Sequence, residues 1–292
     1  MMQAAVPPMS AGLASIASRY DLILCDVWGV VHNGVAAFPE AVAALQRARA
    51  QGATVILISN APRPGAVIRK QLDRLRVPHG GAYDTIIASG DVTREELAKR
   101  PGARLYHLGP ERDHPNYEGL DLKLVPLEEA ELVVCSGLFD DNKETPDDYR
   151  DLLARMRERG LPMICANPDI VVERGDRLIW CAGALAERYA ALGGEVVYAG
   201  KPHAPVYKSA LALAAGIRGS VVARERVLAI GDGVRTDLLG AAAQGFDMLF
   251  VFGGIHAVEV LNERGEPVAE RLAHLFAEVG AWPAAVIKRL VW

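Results

Sequence analysis

The sequence predicts an α/β protein with a mostly parallel sheet, and three observations carry that expectation. Short apolar runs rich in Val, Ile and Leu alternate with longer stretches of helical periodicity. Several of these runs are apolar at every residue rather than at alternate ones, the pattern of strands covered on both faces. The runs also end in polar or reactive residues, as strands do where their carboxyl ends gather a site.

Leu22-Ile23-Leu24-Cys25 is the first such run, and it stops at Asp26. Pro39 and Glu40 open a helix through Ala50, since proline suits a first turn, and Gly52 ends it. Thr54 to Ile58 forms the second strand, closed by Ser59-Asn60, and Pro64 starts a helix towards Leu75. Ile86 to Ala88 reads as a third strand, with Asp91 as the cap of a helix to Lys99. Beyond Pro101-Gly102 the texture changes. Leu105 to Leu108 is a strand, but Gly109 to Glu118 is a polar loop in which Glu111-Arg112-Asp113-His114 should be solvated. Leu132 to Cys135 and Met163 to Cys165 are strands, and a helix from Thr145 to Arg159 lies between them, with Asp147 to Arg150 on an exposed face. A further helix covers Ala182 to Leu192. Val196 to Tyr198 leads to Gly200-Lys201-Pro202 and a helix over Ala204 to Ala215. Val227 to Ile230 is a strong strand stopping at Gly231-Asp232, and Met248 to Phe252 is the last clear one. No period of 20–50 residues recurs. The change of texture marks residues 101–194 as an inserted domain within a discontinuous core of residues 1–100 and 195–292.

Composition narrows the function classes. The 292 residues are enough for two domains, and 51% hydrophobic with 23% charged residues excludes a disordered or fibrous chain. With 32 basic against 36 acidic residues, net charge −4, no nucleic acid partner is expected. Apolar runs break well short of the ~18 residues of a spanning helix. The first twenty residues carry two prolines and no early basic cluster, so neither a membrane partner nor a signal peptide is expected. Cys25, Cys135, Cys165 and Cys181 show no C-x-x-C spacing, which suits a reduced, cytoplasmic protein with no metal cluster.

The strand ends form a coherent chemical set. Asp232 and Asp237 flank a Gly-Val-Arg-Thr turn, so one can ligate a hard divalent cation while the other supports it from behind. Lys201 can balance the charge of a carboxylate and a phosphate. Ser59 and Asn60, at a strand-to-loop junction, can donate hydrogen bonds to phosphate oxygens, and Asp26 can attack phosphorus. Singly, each has a plainer explanation: a turn cap for Asp26, a turn before Pro62 for Ser59-Asn60, a surface lysine, a solvent-facing helical Asp237. Four such strand ends in this order point to phosphoryl transfer.

These residues lie in motifs that resemble the haloacid dehalogenase superfamily of aspartate-nucleophile hydrolases. LILCDVWGVVHNG is similar to its first motif, ILISNAP to the second, GKPHAPVY to the third and AIGDGVRTDLLGAAAQGFDMLFVFGG to the fourth. CANPD at 165–169 and the segment CAGALAERYAALGGEVVYAGKP resemble the class IIA branch, which includes NagD-type, 4-nitrophenyl phosphate, phosphoglycolate and pyridoxal phosphate phosphatases. The resemblance covers roughly residues 20–260. It implies a Rossmann-like core with an α/β cap inserted between the second and third motifs. It implies Asp26 as nucleophile, Ser59 and Asn60 as phosphate ligands and Lys201 as the charge-balancing lysine. It further implies Mg²⁺ held by Asp26, the Trp28 carbonyl and Asp232 with Asp237 behind, and Asn167 and Asp169 touching substrate. The expected partner is a small phosphorylated metabolite, and a homodimer formed through the cap is expected.

One residue departs from the pattern. Phosphatases of this superfamily carry a second aspartate two positions after the nucleophile, where this chain has Trp28. Tryptophan neither protonates a leaving oxygen nor activates water, and such help is typically worth about 10²–10⁴-fold. Slow turnover is therefore expected, and two alternatives stay open: a silent phospho-metabolite binding protein, or a hydrolase of C–P or C–halogen bonds. His32, in the same loop, is a candidate substitute proton donor, and Trp28 itself is expected to form a wall of the site.

Overall fold

The all-apolar runs become the middle of a sheet. In the computed structural model, which describes residues 7–174 and 177–292, the chain begins with β1 (Leu22–Asp26), α1 (Pro39–Ala50), β2 (Thr54–Ser59), α2 (Gly65–Arg74), β3 (Thr85–Ala88) and α3 (Ser89–Ala98). It continues through β4 (Ala103–Leu108), β5 (Leu122–Leu124), β6 (Leu132–Cys135), α4 (Arg150–Glu158), β7 (Met163–Cys165), β8 (Val171–Arg174), β9 (Arg177–Trp180) and α5 (Ala182–Ala191). The last part holds β10 (Val196–Tyr198), α6 (Ala204–Arg218), β11 (Val227–Gly231), α7 (Leu239–Gln244), β12 (Asp247–Val251), α8 (Ala257–Val260), α9 (Ala269–Val279) and β13 (Ala285–Ile287).

The chain gathers into two units. One takes the residues up to Ile58 with Arg69–Ile86 and Tyr207–Trp292; the other takes Ser59–Ile68 and Ile87–Val206. The six-stranded sheet runs β13-β12-β11-β1-β2-β3. β1 pairs in parallel with both β2 and β11, and every residue of these three strands is buried. Strand order reverses between β1 and β11, with Cys25 opposite Ile230, so the carboxyl ends of these two neighbours open a crevice.

The five-stranded sheet runs β10-β7-β6-β4-β5, and its pairings are parallel too. Its side chains alternate between two cores. Val133, Cys135, Met163 and Cys165 pack with Leu153, Met156 and Leu185 of α4 and α5, while Leu105, Val134 and Ile164 pack with Leu97 of α3. β8 and β9 form a separate antiparallel hairpin. The four cysteines are buried and none of them is in a disulfide. Among the described residues no helix is long and apolar enough to cross a membrane.

Several details differ from expectation. Asp91 does not precede α3 but sits inside its first turn, where its Oδ2 accepts the Ala88 N–H (2.8 Å) and the Gly65 N–H (2.9 Å), fixing two helix starts at once. The stretch expected as a solvated loop winds into a 3₁₀ segment, Glu111–Asn116, that buries Asp113 and Asn116. In the stretch expected to be an exposed face, Tyr149 is buried, its hydroxyl accepting the Phe139 N–H (2.6 Å) and donating to Glu144 Oε2 (2.6 Å). No element is expected from the sequence at β5, the β8–β9 hairpin, α9 or β13; the four strands among these have only three or four residues each.

Candidate active site

Asp26 is the last residue of β1 and Asp232 the first after β11, so adjacent parallel strands deliver two carboxylates to one edge. Asp237 joins them from a single π-helical turn, Val234–Leu238. One oxygen of each of the three lies within 4.8 Å of the others, and the residues are 7%, 6% and 4% exposed. The backbone is shaped around them. At Gly29, which has a positive φ of 73°, a Cβ would overlap Asp232 Oδ2, as it would at Gly254. At Gly231 a Cβ would overlap the Asp237 carboxyl carbon. Asp232 Oδ2 accepts the Ile255 N–H (2.9 Å), and Asp237 Oδ2 accepts the Gly233 N–H (3.0 Å).

Two unit charges at this spacing repel by roughly 3 kcal/mol at an effective dielectric near 20. Three buried carboxylates this close favour a positive charge beside them. Their oxygens are hard donors, the set that suits Mg²⁺ or Ca²⁺ rather than a thiophilic metal. The residues present fit a divalent ion.

Trp28 is half-buried. Its indole packs over Gly34, where a Cβ would meet the ring, and stands edge-on to His32 with centroids 5.0 Å apart. His32 is fully buried, its Nδ1 accepts the Gly34 N–H (2.8 Å), and burial pushes its pKa down to about 4. A neutral imidazole locked beneath an indole is a support for Trp28, not a proton source near neutral pH. The expectation of His32 as substitute donor is corrected on that ground.

The other expected site residues meet within the second unit. Ser59 is buried, and its Oγ accepts the Ala61 N–H (3.2 Å). The Asn60 carboxamide grips the main chain of buried Lys201 from both sides: Oδ1 accepts the Lys201 N–H (2.7 Å), and Nδ2 donates to the Lys201 carbonyl (3.1 Å). The second Asn60 N–H goes to Asp169 Oδ1 (2.8 Å). Asn167 Oδ1 in turn accepts the Asp169 N–H (3.1 Å), and α5 approaches this loop so closely that a Cβ on Gly183 would overlap the Pro168 carbonyl oxygen. Asn167 and Asp169 thus brace Asn60, and Asn60 braces Lys201. No single stretch of sequence signals this chain of contacts, because Asn60 and Lys201 are 141 residues apart. Gly29 and Gly254 were likewise unforeseen, since their closeness to Asp232 exists only in the fold.

An acid-tipped central strand, a second carboxylate on the neighbouring strand and a second α/β unit threaded through the chain define a class of hydrolases that work at the carboxyl edge of a parallel sheet. A model of the haloacid dehalogenase-like hydrolase family matches residues 23–123, and a second, of HAD-like hydrolases, matches 198–275. A hydrolase of the haloacid dehalogenase-like family from Brucella suis 1330 is 50% identical over 97% of this chain and 100% of that one, with a TM-score of 0.87. The chain belongs to the haloacid dehalogenase-like hydrolase family. More distant structures share the fold. The p-nitrophenyl phosphatase from Archaeoglobus fulgidus has 23% identity, 92% and 96% coverage and a TM-score of 0.70. A glycerol phosphate phosphatase from Mycobacterium tuberculosis in complex with magnesium has 23% identity, 88% and 77% coverage and a TM-score of 0.62. No curated protein matches the chain.

Proposed function

We propose that this hydrolase is a Mg²⁺-dependent phosphatase of a small phosphate monoester that works through an aspartyl-phosphate on Asp26. The observation that carries the reading is the trio of Asp26, Asp232 and Asp237 oxygens within 4.8 Å at the β1–β11 crevice. Relatives of the same fold that are phosphatases, one of them crystallised with magnesium, support it. Residues 1–100 and 195–292 would be the core and 101–194 the cap that chooses the substrate. Four buried cysteines outside any disulfide suit a reducing cytoplasm.

The carboxylates of Asp26 and Asp232 and the Trp28 carbonyl would hold Mg²⁺, with Asp237 behind them. When bound, the ion neutralises phosphate oxygens. An Asp26 oxygen attacks phosphorus, and the P–O ester bond breaks with its electron pair on the departing oxygen, which takes a proton from solvent. Water then attacks the same phosphorus, loses a proton to solvent, and releases inorganic phosphate with the Asp26 carboxylate restored. The Ser59 hydroxyl donates to a phosphate oxygen, and the Lys201 ammonium balances the added negative charge. Asn60, gripping the Lys201 main chain, holds that lysine in place, and Asn167 and Asp169 steady Asn60. Because Trp28 delivers no proton, alkoxide leaving groups should be the slowest and nitrophenolate the fastest.

The test is phosphate release from 4-nitrophenyl phosphate and a panel of sugar and cofactor phosphates, with Mg²⁺ and with chelator, beside Asp26→Asn. Chelator-sensitive turnover lost in the variant supports the reading. The half-buried Trp28 above a neutral His32 favours a second reading, binding without turnover. That reading predicts joint stabilisation by Mg²⁺ and phosphate with no release from any ester.

A further inference from the structure

Asp232 and Asp237 are held by two different stretches of backbone. The Asp232 carboxylate takes the Ile255 N–H (2.9 Å) from the loop after β12, where a Cβ on Gly254 would overlap the same oxygen. The Asp237 carboxylate takes the Gly233 N–H (3.0 Å), at the residue that precedes the π-helical turn. The residues that follow these two donors meet each other. Val234, next to Gly233, donates its N–H to Nε2 of His256, next to Ile255 (3.4 Å). One imidazole thus ties the loop that grips Asp232 to the turn that grips Asp237.

The ring is also fixed from its other side. Because Nε2 accepts, the ring's own proton lies on Nδ1, which donates to Glu259 Oε1 (3.2 Å). Glu259 stands in α8, which starts on His256: the His256 carbonyl accepts the N–H groups of Glu259 and Val260 (3.1 Å each). The His256 side chain is 16% exposed, and its ring centroid is 6.2 Å from that of buried Phe250 on β12. A carboxylate that orients an imidazole through its second nitrogen is a recurrent support around metal sites. Here both ring nitrogens are engaged, so His256 offers no ligand atom to an ion.

Mg²⁺ demands near-octahedral oxygens and tolerates little change in their spacing. The spacing of Asp232 and Asp237 depends on how the turn after Gly233 sits against the loop at Gly254–Ile255, and the His256–Val234 bond spans those two segments. We propose that His256 is a positioning residue of the cation site, acting through the backbone that sets the Asp232 and Asp237 oxygens, with Glu259 keeping its ring turned to Val234. The ion rests on the phosphatase reading above; the tie between the two segments does not.

The experiment is calorimetric titration of the full, metal-stripped chain with Mg²⁺ alone, the thermal midpoint in chelator being recorded for each variant as a check on folding. His256→Leu removes the acceptor and keeps the bulk. It is expected to weaken Mg²⁺ about tenfold, the low end of what the partners of metal ligands contribute. His256→Gln places an oxygen acceptor near the position of Nε2 and should recover most of that loss. Glu259 is exposed, so changing it spares the core. Glu259→Gln keeps an acceptor for the Nδ1 proton and should bind almost as the native chain does, whereas Glu259→Ala should lose severalfold. The His256 pair decides, or the Glu259 pair if His256→Leu does not fold. Native affinity in the variant that lacks the contact, or an equal loss in both members of the deciding pair, overturns the proposal while leaving the metal reading intact. A native chain that binds no Mg²⁺ overturns both.

Discussion

Replacing Asn60 by aspartate keeps the side chain's shape and turns its donor into an acceptor. In the native protein Oδ1 takes the Lys201 N–H at 2.7 Å while Nδ2 serves the Lys201 carbonyl at 3.1 Å and the Asp169 carboxylate at 2.8 Å. In Asn60→Asp the first bond survives and the other two become oxygen–oxygen contacts. Losing them costs about 1 kcal/mol for the neutral bond and about 1.5–3 kcal/mol for the charged one. Two carboxylates near 3 Å then repel by several kcal/mol more at an effective dielectric near 20, before relaxation. Asn60→Ala loses all three bonds but adds no repulsion, for a deficit of roughly 3.5–5 kcal/mol. The isosteric change should therefore be the more damaging one at pH 7.5. It should also depend on pH. The introduced carboxylate and that of Asp169 form a like-charged pair whose folded-state pKa is raised, so protonation restores a shared hydrogen bond at acid pH and the deficit grows as pH rises through that pKa. Urea denaturation of both variants and the native protein at pH 7.5 and pH 5 measures this. An Asn60→Asp variant at least as stable as Asn60→Ala at pH 7.5, or a deficit that ignores pH, would refute the two-sided grip on Lys201.

Three further outcomes are expected. Trp28→Asp should raise turnover of alkyl phosphates relative to 4-nitrophenyl phosphate by about ten- to a thousandfold, since a proton donor matters most for a poor leaving group. It should also lose roughly 2 kcal/mol of stability with the indole's packing on Gly34 and His32. An unchanged ratio with Mg²⁺ still bound would show that acid help is not what limits the enzyme. Gly231→Ala drives a methyl into the Asp237 carboxyl and should weaken Mg²⁺ at least tenfold by calorimetric titration, so native affinity in that variant would exclude Asp237 from the metal site. His32 has a folded pKa of about 4 against an ordinary 6.5, so the unfolded chain binds more protons between these values. Its contribution is present above pH 6.5 and lost as pH falls towards 4, by up to about 3 kcal/mol. The raised carboxyls of Asp91 and Asp113 act with the opposite sign, so the informative quantity is the native stability curve minus that of His32→Gln. No difference in slope over that interval would contradict the buried neutral imidazole.

The large features were legible because their causes are local. A strand buried on both faces must be apolar at every residue, so β1, β2 and β11 announce themselves, and an acid ending such a run stands out, as Asp26 and Asp232 do. Features that depend on contacts distant in sequence were not legible. Asp113 sits in the charged string Glu111-Arg112-Asp113-His114, which reads as solvated, and is buried because Arg94 and Pro62 fasten the 3₁₀ segment that carries it. Asn60 reads as a phosphate donor from its place after β2, yet its amide is engaged by Lys201 and Asp169. β5 is too short for periodicity to register, and Asp91 was read as lying outside the helix it helps to start.

The pairing of β1 with β11 sets more than topology. Neighbouring strands sit about 4.8 Å apart because the peptide hydrogen bond has a fixed length. Asp26 and Asp232 are mounted at the ends of two such neighbours, so the span between them is gauged by the ladder itself and hardly by the packing of the side chains beneath. Core substitutions at Ile23 or Leu228 should thus lower the melting temperature while ion affinity stays level in the surviving folded fraction. The ladder that sets the span includes Cys25 opposite Ile230, so the ion should be released in the same cooperative transition that melts the sheet, with no earlier step in which a folded protein lets it go.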